Sequence, residues 1–469
     1  MPKLYLCSDF DETTCDEDKK LIPHIKRFME CLLGDETFYK QVIENPNACG
    51  QLLNSRGITG VDPNQILSMF SEFPNFKDLK DEDLKDMPQA LLWKRWFYAT
   101  AAHREHWKRI GDETPNQNFN HWHLRQKKRC YSQMSSGTND SLVHATIAFE
   151  LSSGCSMQCS FCGLATKPLQ KVFLYTEDNR KLWQDVLKVA KNHLGETMRM
   201  GICYWGTEPS DNKDYLKFLL DFEAMTGVFP QTTTAAALRD LNWTRSLLDT
   251  RLKHPTSADR FSLLSEGALH RVHENFTAEA LILTELILQY STHLKKNMAY
   301  SGRNLNRQDL SGYLKDHTIA CVTGYLINMA EKSIKLISPC PPSEDHPLGY
   351  IIFDERKFAS ATDVDDFMSE AAENIMISKS DEFQSLAFRK SLEFKMITNG
   401  FQLKSPYMNH KMSGKPYLEK LGLYISQGNM TESEIVDLLM LEYPDPLAII
   451  ASIQKLKDNF LLQDSFIDF

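Results

Sequence analysis

Residues 143–164 read VHATIAFELSSGCSMQCSFCGL, and the fold is decided there. Val143, Ala145, Ile147, Phe149 and Leu151 alternate with His144, Thr146, Ala148 and Glu150. A period of two predicts a half-buried strand. Ser152, Ser153 and Gly154 break the alternation, so Cys155, Cys159 and Cys162 fall on a loop at the strand's C-terminal end. In barrels of alternating strands and helices, that end carries the chemistry. Thiolates are soft ligands, and clustered ones select zinc, copper(I) or iron–sulfur clusters. A closed zinc site wants four ligands, as does a ferredoxin-type cluster. No fourth ligand is at hand: no histidine lies between His144 and His193, and the next cysteine is Cys203. Three thiolates on a four-iron cube leave one iron open for a small molecule. A zinc knuckle and a disulfide are the competing readings.

A C-x3-C-x2-C loop after a strand, with Phe161 before the third cysteine, resembles the signature of radical S-adenosylmethionine (radical SAM) enzymes. The resemblance implies that Cys155, Cys159 and Cys162 hold one [4Fe–4S] cluster, on whose open iron S-adenosyl-L-methionine is chelated and reduced to methionine and a 5′-deoxyadenosyl radical. It also gives a role to the GTEP run, Gly206, Thr207, Glu208 and Pro209. The superfamily has a GGEP-like motif there, which meets the amino group of S-adenosyl-L-methionine. Glycine allows close backbone approach, and Glu208 can accept charge-assisted hydrogen bonds from an ammonium. Thr207 stands where the second glycine would be, which puts the backbone geometry in question. Thr233 and Ser262, on later candidate strands, could meet the ribose or carboxylate; hydroxyls in strands are also ordinary. With Phe161 these complete the expected cofactor-binding set.

At 469 residues the chain is too long for one core, and two or three domains are expected. Apolar content of 42% with 25% charged residues describes a soluble globular protein. Eleven cysteines at this length are not disulfide-dense, and the tightest group has metal spacing. Both facts favour a reducing, cytoplasmic setting. The N-terminus, MPKLYLCSDFDETTCDEDKK, has neither a basic nor an apolar signal region. The most apolar run, ALILTELILQY, carries Thr284 and Glu285, which argues against a membrane span. A formal charge of −9 argues against a nucleic-acid partner.

Residues 1–140 read as a polar helical domain. Pro23 opens a segment with Ile25, Phe28, Met29, Leu32 and Leu33 at helical spacing, ended by Gly34, and Asp35 caps the next one. The stretch from Asp35 to Phe70 is loosely similar to Nif11-type leader peptides; a plain amphipathic packing domain is the blander alternative. From 141 to 350 strands and helices alternate, the pattern of a parallel βα fold. Helices are expected around Leu182–Ala190 and Tyr215–Phe222, with strands at MRMGICYW, Thr232–Ala236, Arg260–Ser265 and Ser333–Ser338. The radical SAM core is a partial (β/α)6 barrel, and this alternation is about what it needs. Residues 351–469 form a connecting region and a small C-terminal domain, with helices at Pro416–Gln427, Thr431–Leu441 and Pro446–Asn459. These helices look like part of a winged-helix unit similar to the PqqD-like modules that hold leader peptides; a three-helix packing module is the alternative.

Cys340 sits between Pro339 and Pro341, past the end of a candidate strand. A thiol facing the cluster's mouth could donate a hydrogen atom, although a buried cysteine is usually an inert small hydrophobe. Cys321, in TIACVTGYL, is the rival, read as preceding a helical run; Cys203 lies inside the second strand. Too few cysteines follow Cys162 for an auxiliary cluster, and no cobalamin signature stands out. Taken whole, the chain resembles radical SAM peptide epimerases of the proteusin type. That resemblance implies conversion of L- to D-residues in a ribosomally made precursor peptide. An α-hydrogen is removed, and a cysteine thiol (Cys340, or Cys321) returns one to the opposite face. It implies a leader-bearing precursor peptide and an electron donor such as flavodoxin or ferredoxin as partners. A crosslinking or thioether-forming enzyme, and a zinc-stabilised peptide-binding protein, are the alternatives.

Overall fold

In the computed structural model the described residues are 10–71, 80–109, 113–290, 298–306, 313–314, 316–376 and 385–463. The first residues, whose composition spoke against secretion, lie partly outside them. No strand precedes Ala145 among these residues. The helix expected to open at Pro23 starts earlier: it runs Asp16–Gly34 with Pro23 inside it. Three acidic residues in its first turn favour that start, since they complement the helix dipole. Asp35 then caps Glu36–Glu44, its carboxylate accepting from Phe38 N at 2.8 Å.

The central unit is built on β1 (Ala145–Glu150), which is buried on both faces rather than half-buried: Ile147, Phe149 and Leu151 enter the main core, and Ala145 and Ala148 enter a second cluster. Helix Glu177–Leu194 buries Trp183, Val186, Leu187 and Ala190 and stops at Gly195, whose φ of 55° suits glycine. Helix Tyr215–Thr226 stops in the same way at Gly227. The strand expected at MRMGICYW is largely absent. Gly195–Met200 winds as a 3-10 turn, and a single parallel bridge joins Ala148 to Ile202. Gly201 in its middle and Ile202 as its one β-branched residue give that stretch little strand preference.

Three parallel strands follow: β2 (Thr233–Thr234), β3 (Asp259–Leu263) and β4 (Thr284–Leu288). The last lies in the most apolar run, although only Thr284 and Leu288 of its residues are buried. The segment read as leading into a helix after Cys321 is instead β5 (Val322–Asn328), seven buried residues parallel to β1. Three of its residues, Val322, Thr323 and Ile327, are β-branched and its one glycine lies against the Thr146 backbone, so strand wins over helix. β6 (Ser333–Pro339) and β7 (Tyr350–Lys357) continue that sheet antiparallel, giving the order β1-β5-β6-β7. The chain is thus mixed α/β, with several small sheets that do not close into a barrel.

Three cores mark the packing. One holds residues from Phe10 to Ala99 and also takes Ile282 and Leu283, which tie the helical unit to the strand unit. The main core runs from Phe119 to Met376. The middle unit therefore recruits helix Gln117–Gln133 before it and helix Ala361–Asn374 after it, reaching beyond 141–350 at both ends. The third core spans Phe388 to Leu462. Its helices, Leu418–Gln427, Glu432–Met440 and Pro446–Asp458, match expectation within two residues. Thr431 and Glu434 close a reciprocal cap at the start of the second of these helices. Ahead of them stands a three-stranded antiparallel meander, Glu393–Ile397, Gly400–Lys404 and Asn409–Ser413, which the helical reading had not included. No helix among the described residues is long and apolar enough to cross a membrane.

Candidate functional site

The cysteine loop leaves β1 through Gly154, where φ is 83°. A Cβ there would lie 2.2 Å from the Pro168 carbonyl oxygen, so the position admits only glycine. The loop returns on itself: Cys155 N donates to Lys167 O at 3.0 Å, and Cys162 N to Cys159 O at 3.2 Å. Cys155, Cys159 and Cys162 are half-buried free thiols, and every described cysteine is free. Burial raises the Cys155 thiol, against backbone N–H donors from Met157 and Gln158. Burial likewise raises Cys159, with Cys162 and Glu208 as charged neighbours. N–H donors aimed at sulfur stabilise thiolate once a metal displaces the proton.

What fixes the loop comes from far along the chain. Arg303 donates from its backbone to Cys162 O at 3.0 Å and from its guanidinium to Cys159 O at 2.8 Å, to Gln158 Oε1 at 2.7 Å and to Thr166 O. Asn304 donates to Phe161 O at 3.0 Å. Gly163 packs so tightly that a Cβ would stand 2.8 Å from Ser301 Oγ, a buried hydroxyl with no hydrogen-bond partner. On the other flank Asp211 accepts from Ser156 N at 3.0 Å, and Arg239 ties Asp211 to Ser210. The loop carbonyls are thus spent on protein donors, which leaves the thiols as its reactive groups. Sequence reasoning missed Arg303, Asn304, Arg239 and Asp211; nothing local to them signals the role.

Gly206 lies directly beside this loop. Its N–H donates to Glu150 Oε1 at 2.9 Å, and a Cβ would meet Thr166 Oγ1 at 2.8 Å. Neither Gly206 nor Thr207 has a positive φ, so the threonine in the second glycine's place costs no backbone strain. Glu208 is 3% exposed. Its carboxylate accepts from Ser210 N at 3.1 Å, Ser210 Oγ at 2.9 Å, Ala235 N at 2.9 Å and the Thr234 hydroxyl. Burial raises its pKa against these donors. The side chain expected to meet an ammonium is therefore largely committed to pinning the GTEP turn onto β2. Pro209 opens the short turn that follows. Glu150, the polar residue closing β1, also has its pKa raised by burial; it bridges Gly206 N and Asn328 Nδ2.

Thr233 and Ser262 are half-buried, on the strand face opposite the core residues Phe261 and Leu263. Thr233 donates to the Tyr204 hydroxyl at 2.8 Å. Between them in the sheet Arg260 pairs with Glu285 at 2.8 Å. Cys321 has Arg260 as its charged neighbour, and burial holds its thiol up at about 11. It packs against the small core of Ala145, Ala148, Val322 and Leu326, as do Tyr204, Trp205 and Tyr350, and also against Cys130, Met134 and Leu142.

Cys340 is placed differently from the expectation. β6 runs antiparallel to β5, with Ser333 opposite Asn328 and Ile337 opposite Gly324. Its C-terminal end therefore lies at the end of the sheet away from the cysteine loop. The Cys340 thiol, 3% exposed and raised to about 12 by burial, has Arg129 and Cys130 of the outer helix as its neighbours. The inference from strand end to cluster mouth holds only for a parallel strand. Cys203 is buried in the main core.

The residues fit a thiolate-bound cluster: three free, half-buried soft donors on one loop that Arg303 and Asn304 hold in place. A second grouping, Asp35, Glu266 and His270, brings three ligand atoms within 4.8 Å of one another. Arg56 sits 2.6 Å from the same Asp35 oxygen that His270 meets at 2.9 Å, so this is an ion-pair network rather than a cation site.

The chain is 34% identical over 430 residues to the uncharacterized protein y4wI of Sinorhizobium fredii (strain NBRC 101917 / NGR234), an alignment covering 90% of this chain and 83% of that protein. The two belong to one family. No family model matches the chain, and no solved structure matches it.

Proposed function

We propose that this protein is a radical SAM enzyme of the peptide-epimerase type, working in the reducing cytoplasm on a ribosomally made precursor peptide. The observation that carries the reading is the Cys155–Cys162 loop: three free thiols at the C-terminal end of a parallel strand, with the loop carbonyls tied to Arg303 and Asn304. We read the parallel strands β1–β5 as an open, partial (β/α)6 barrel. Cys155, Cys159 and Cys162 would hold one [4Fe–4S] cluster, with Phe161 covering it. When bound together with S-adenosyl-L-methionine, that cluster supplies a carbon-centred hydrogen abstractor, chemistry the protein alone lacks. Gly206 and Thr207 offer close backbone approach for the cofactor's amino group, Glu208 and Pro209 hold that turn, and Thr233 and Ser262 supply hydroxyls to its ribose.

The chain's own residues then position the peptide and return hydrogen. An α-hydrogen leaves one face of an L-residue, and a thiol on the opposite side gives back its own. The thiol must be protonated to do so, and burial keeps both candidates in that form. Cys321 and Cys340 lie at the same end of the sheet, away from the cysteine loop; Cys321 is our candidate donor because its charged neighbour Arg260 shares a strand face with Thr233 and Ser262, and Cys340 is the alternative. The sulfur radical left behind takes one electron and one proton, so a reductant such as flavodoxin or ferredoxin is required. The C-terminal meander and helices would dock the precursor's leader.

The test is iron quantitation and electron paramagnetic resonance on anaerobic protein, with and without S-adenosyl-L-methionine, followed by turnover of a precursor in deuterated water. About four irons per chain, a spectrum that responds to S-adenosyl-L-methionine and one deuterium at each inverted α-carbon are expected. A colourless zinc protein would end the reading. With the cluster intact, Cys321→Ala should yield little D-residue and Cys340→Ala should yield it normally. The reverse outcome would restore Cys340 as donor.

A further inference from the structure

One face of the three parallel strands β2, β3 and β4 carries a row of polar side chains. Thr233 stands opposite Arg260, and Arg260 opposite Glu285, so the three lie side by side across the strands. Along β3 burial alternates: Asp259, Phe261 and Leu263 are buried, and Arg260 and Ser262 between them are half-buried. Successive strand residues point to opposite faces, so Phe261 and Leu263 turn to the core and the row turns away from it. The upper end of β2 is where Glu208 is pinned, beside the cysteine loop. The row therefore lies just below that mouth.

Arg260 is the informative residue. Its Nε donates to Glu285 Oε2 at 2.8 Å, and both side chains keep 37% of their surface exposed. Its terminal nitrogens meet no acceptor among the described residues, and neither is sealed from solvent. Neighbouring arginines are spent differently. Arg251 is buried on Asp259, Phe229 O and Pro230 O, and Arg239 is taken up by Ser156, Ser210 and Asp211. Arg260 thus presents an open fork of N–H donors, anchored at one edge by a carboxylate. That anchor decides what the fork takes. A second carboxylate would meet Glu285 as well, and the repulsion offsets much of its attraction to the guanidinium. A neutral carbonyl oxygen meets no such penalty and accepts charge-assisted hydrogen bonds from the fork. The surroundings are ordered for a bound group: the Tyr204 hydroxyl accepts from Thr233 at 2.8 Å and donates to Gln231 Oε1 at 3.2 Å. Arg260 is a charged neighbour of Tyr204 and of the candidate donor Cys321.

We propose that the Arg260 fork binds a backbone carbonyl of the substrate peptide, with Glu285 keeping carboxylates out. That the ligand is a peptide rests on the functional reading; that the fork is open does not. The test is arginine modification by phenylglyoxal on the full chain, read residue by residue by mass spectrometry. Arg260 should react, and the buried Arg251 should not. The probe, N-acetyl-trialanine N-methylamide, should slow the reaction of Arg260 severalfold, and acetate at the same concentration should not. Arg180, exposed on an outer helix, should be slowed by neither. Glu285→Gln removes the repulsion and should let acetate protect Arg260 as well. Arg260→Lys keeps the charge without the fork and should weaken the probe about tenfold, followed by its carbonyl ¹³C shifts. Protection of the wild type by S-adenosyl-L-homocysteine and acetate, with none by the probe, gives the fork to a cofactor carboxylate and overturns the proposal. An unreactive Arg260, equal protection by probe and acetate, or no protection at all overturns it too. Iron is measured on the same samples. Protection by the probe in a chain that binds no iron would keep the fork and sink the radical reading, and a brown, unprotected chain would do the opposite.

Discussion

The two ends of the central mixed sheet handle cysteine in opposite ways. At the C-terminal end, three thiols sit half-exposed on a loop whose carbonyls at Cys159, Phe161 and Cys162 are tied down and whose glycines pack closely against their neighbours. At the other end Cys340 is 3% exposed against an outer helix, and Cys321 stands on the inner face beside Arg260. The difference teaches that spacing builds a ligand set, whereas a lone cysteine gains meaning only from the face it is given.

The sharpest break in that contrast is removal of a loop thiol. Cys159→Ala should abolish iron binding, read as loss of visible absorbance and of iron by quantitation, and the buried Cys203→Ala should leave both intact. Next comes Gly154→Ala. With φ at 83° and a backbone oxygen 2.2 Å from the new methyl, the loop must shift, at a cost of roughly 1–3 kcal/mol. Chemical denaturation would show it, together with poor iron uptake; wild-type stability would mean the loop adapts freely. Arg303→Met should act more mildly. The fold survives, since the residue's bonds go to one loop, but iron should be lost severalfold faster to a chelator.

The smallest effect is one of pH. Burial raises the pKa of Glu150 above its ordinary value of 4.5, so the folded chain holds that proton more tightly than the unfolded chain does. Its contribution to stability is fully present below the ordinary value and fades as pH rises through the raised one. Glu150→Gln should therefore flatten the loss of stability as pH rises above the ordinary carboxylate value, measured as urea midpoints. Asp214, at the sheet's periphery, has the opposite sign: its carboxylate is lowered by Lys217, so its contribution is lost as pH falls. An unchanged slope in Glu150→Gln would show that Gly206 and Asn328 already hold the carboxylate charged at no cost.

Much of this was readable in the sequence. The alternation in β1, the break at Gly154 and the caps at Asp35, Gly195, Gly227 and Thr431 are local signals, and each appears in the structure. The three C-terminal helices were legible because their apolar spacing and caps agree. β5 was not, because a short apolar run after Cys321 has no periodicity that separates a buried strand from a helix. The direction of β6 was hidden for a further reason: strand sense is set by pairing, and no residue in Ser333–Pro339 encodes it. The same holds for Glu208. Its residue type announced an exposed acceptor, and only the approach of Thr234 and Ala235 revealed a carboxylate spent on the protein.

The grip of Arg303 on the cysteine loop spans 144 residues of chain. On a ribosome adding roughly 5–20 residues each second, the thiols emerge many seconds before the arginine that shapes their loop. Contacts of such long separation form late, because loop closure precedes any reward. During that interval the three cysteines are an unformed chelator, open to zinc and to oxidants that the finished loop would meet on different terms. The order of synthesis thus sets a waiting period for this protein: until residue 303 has folded home the thiols lie on an unshaped strand, and afterwards on a fixed loop.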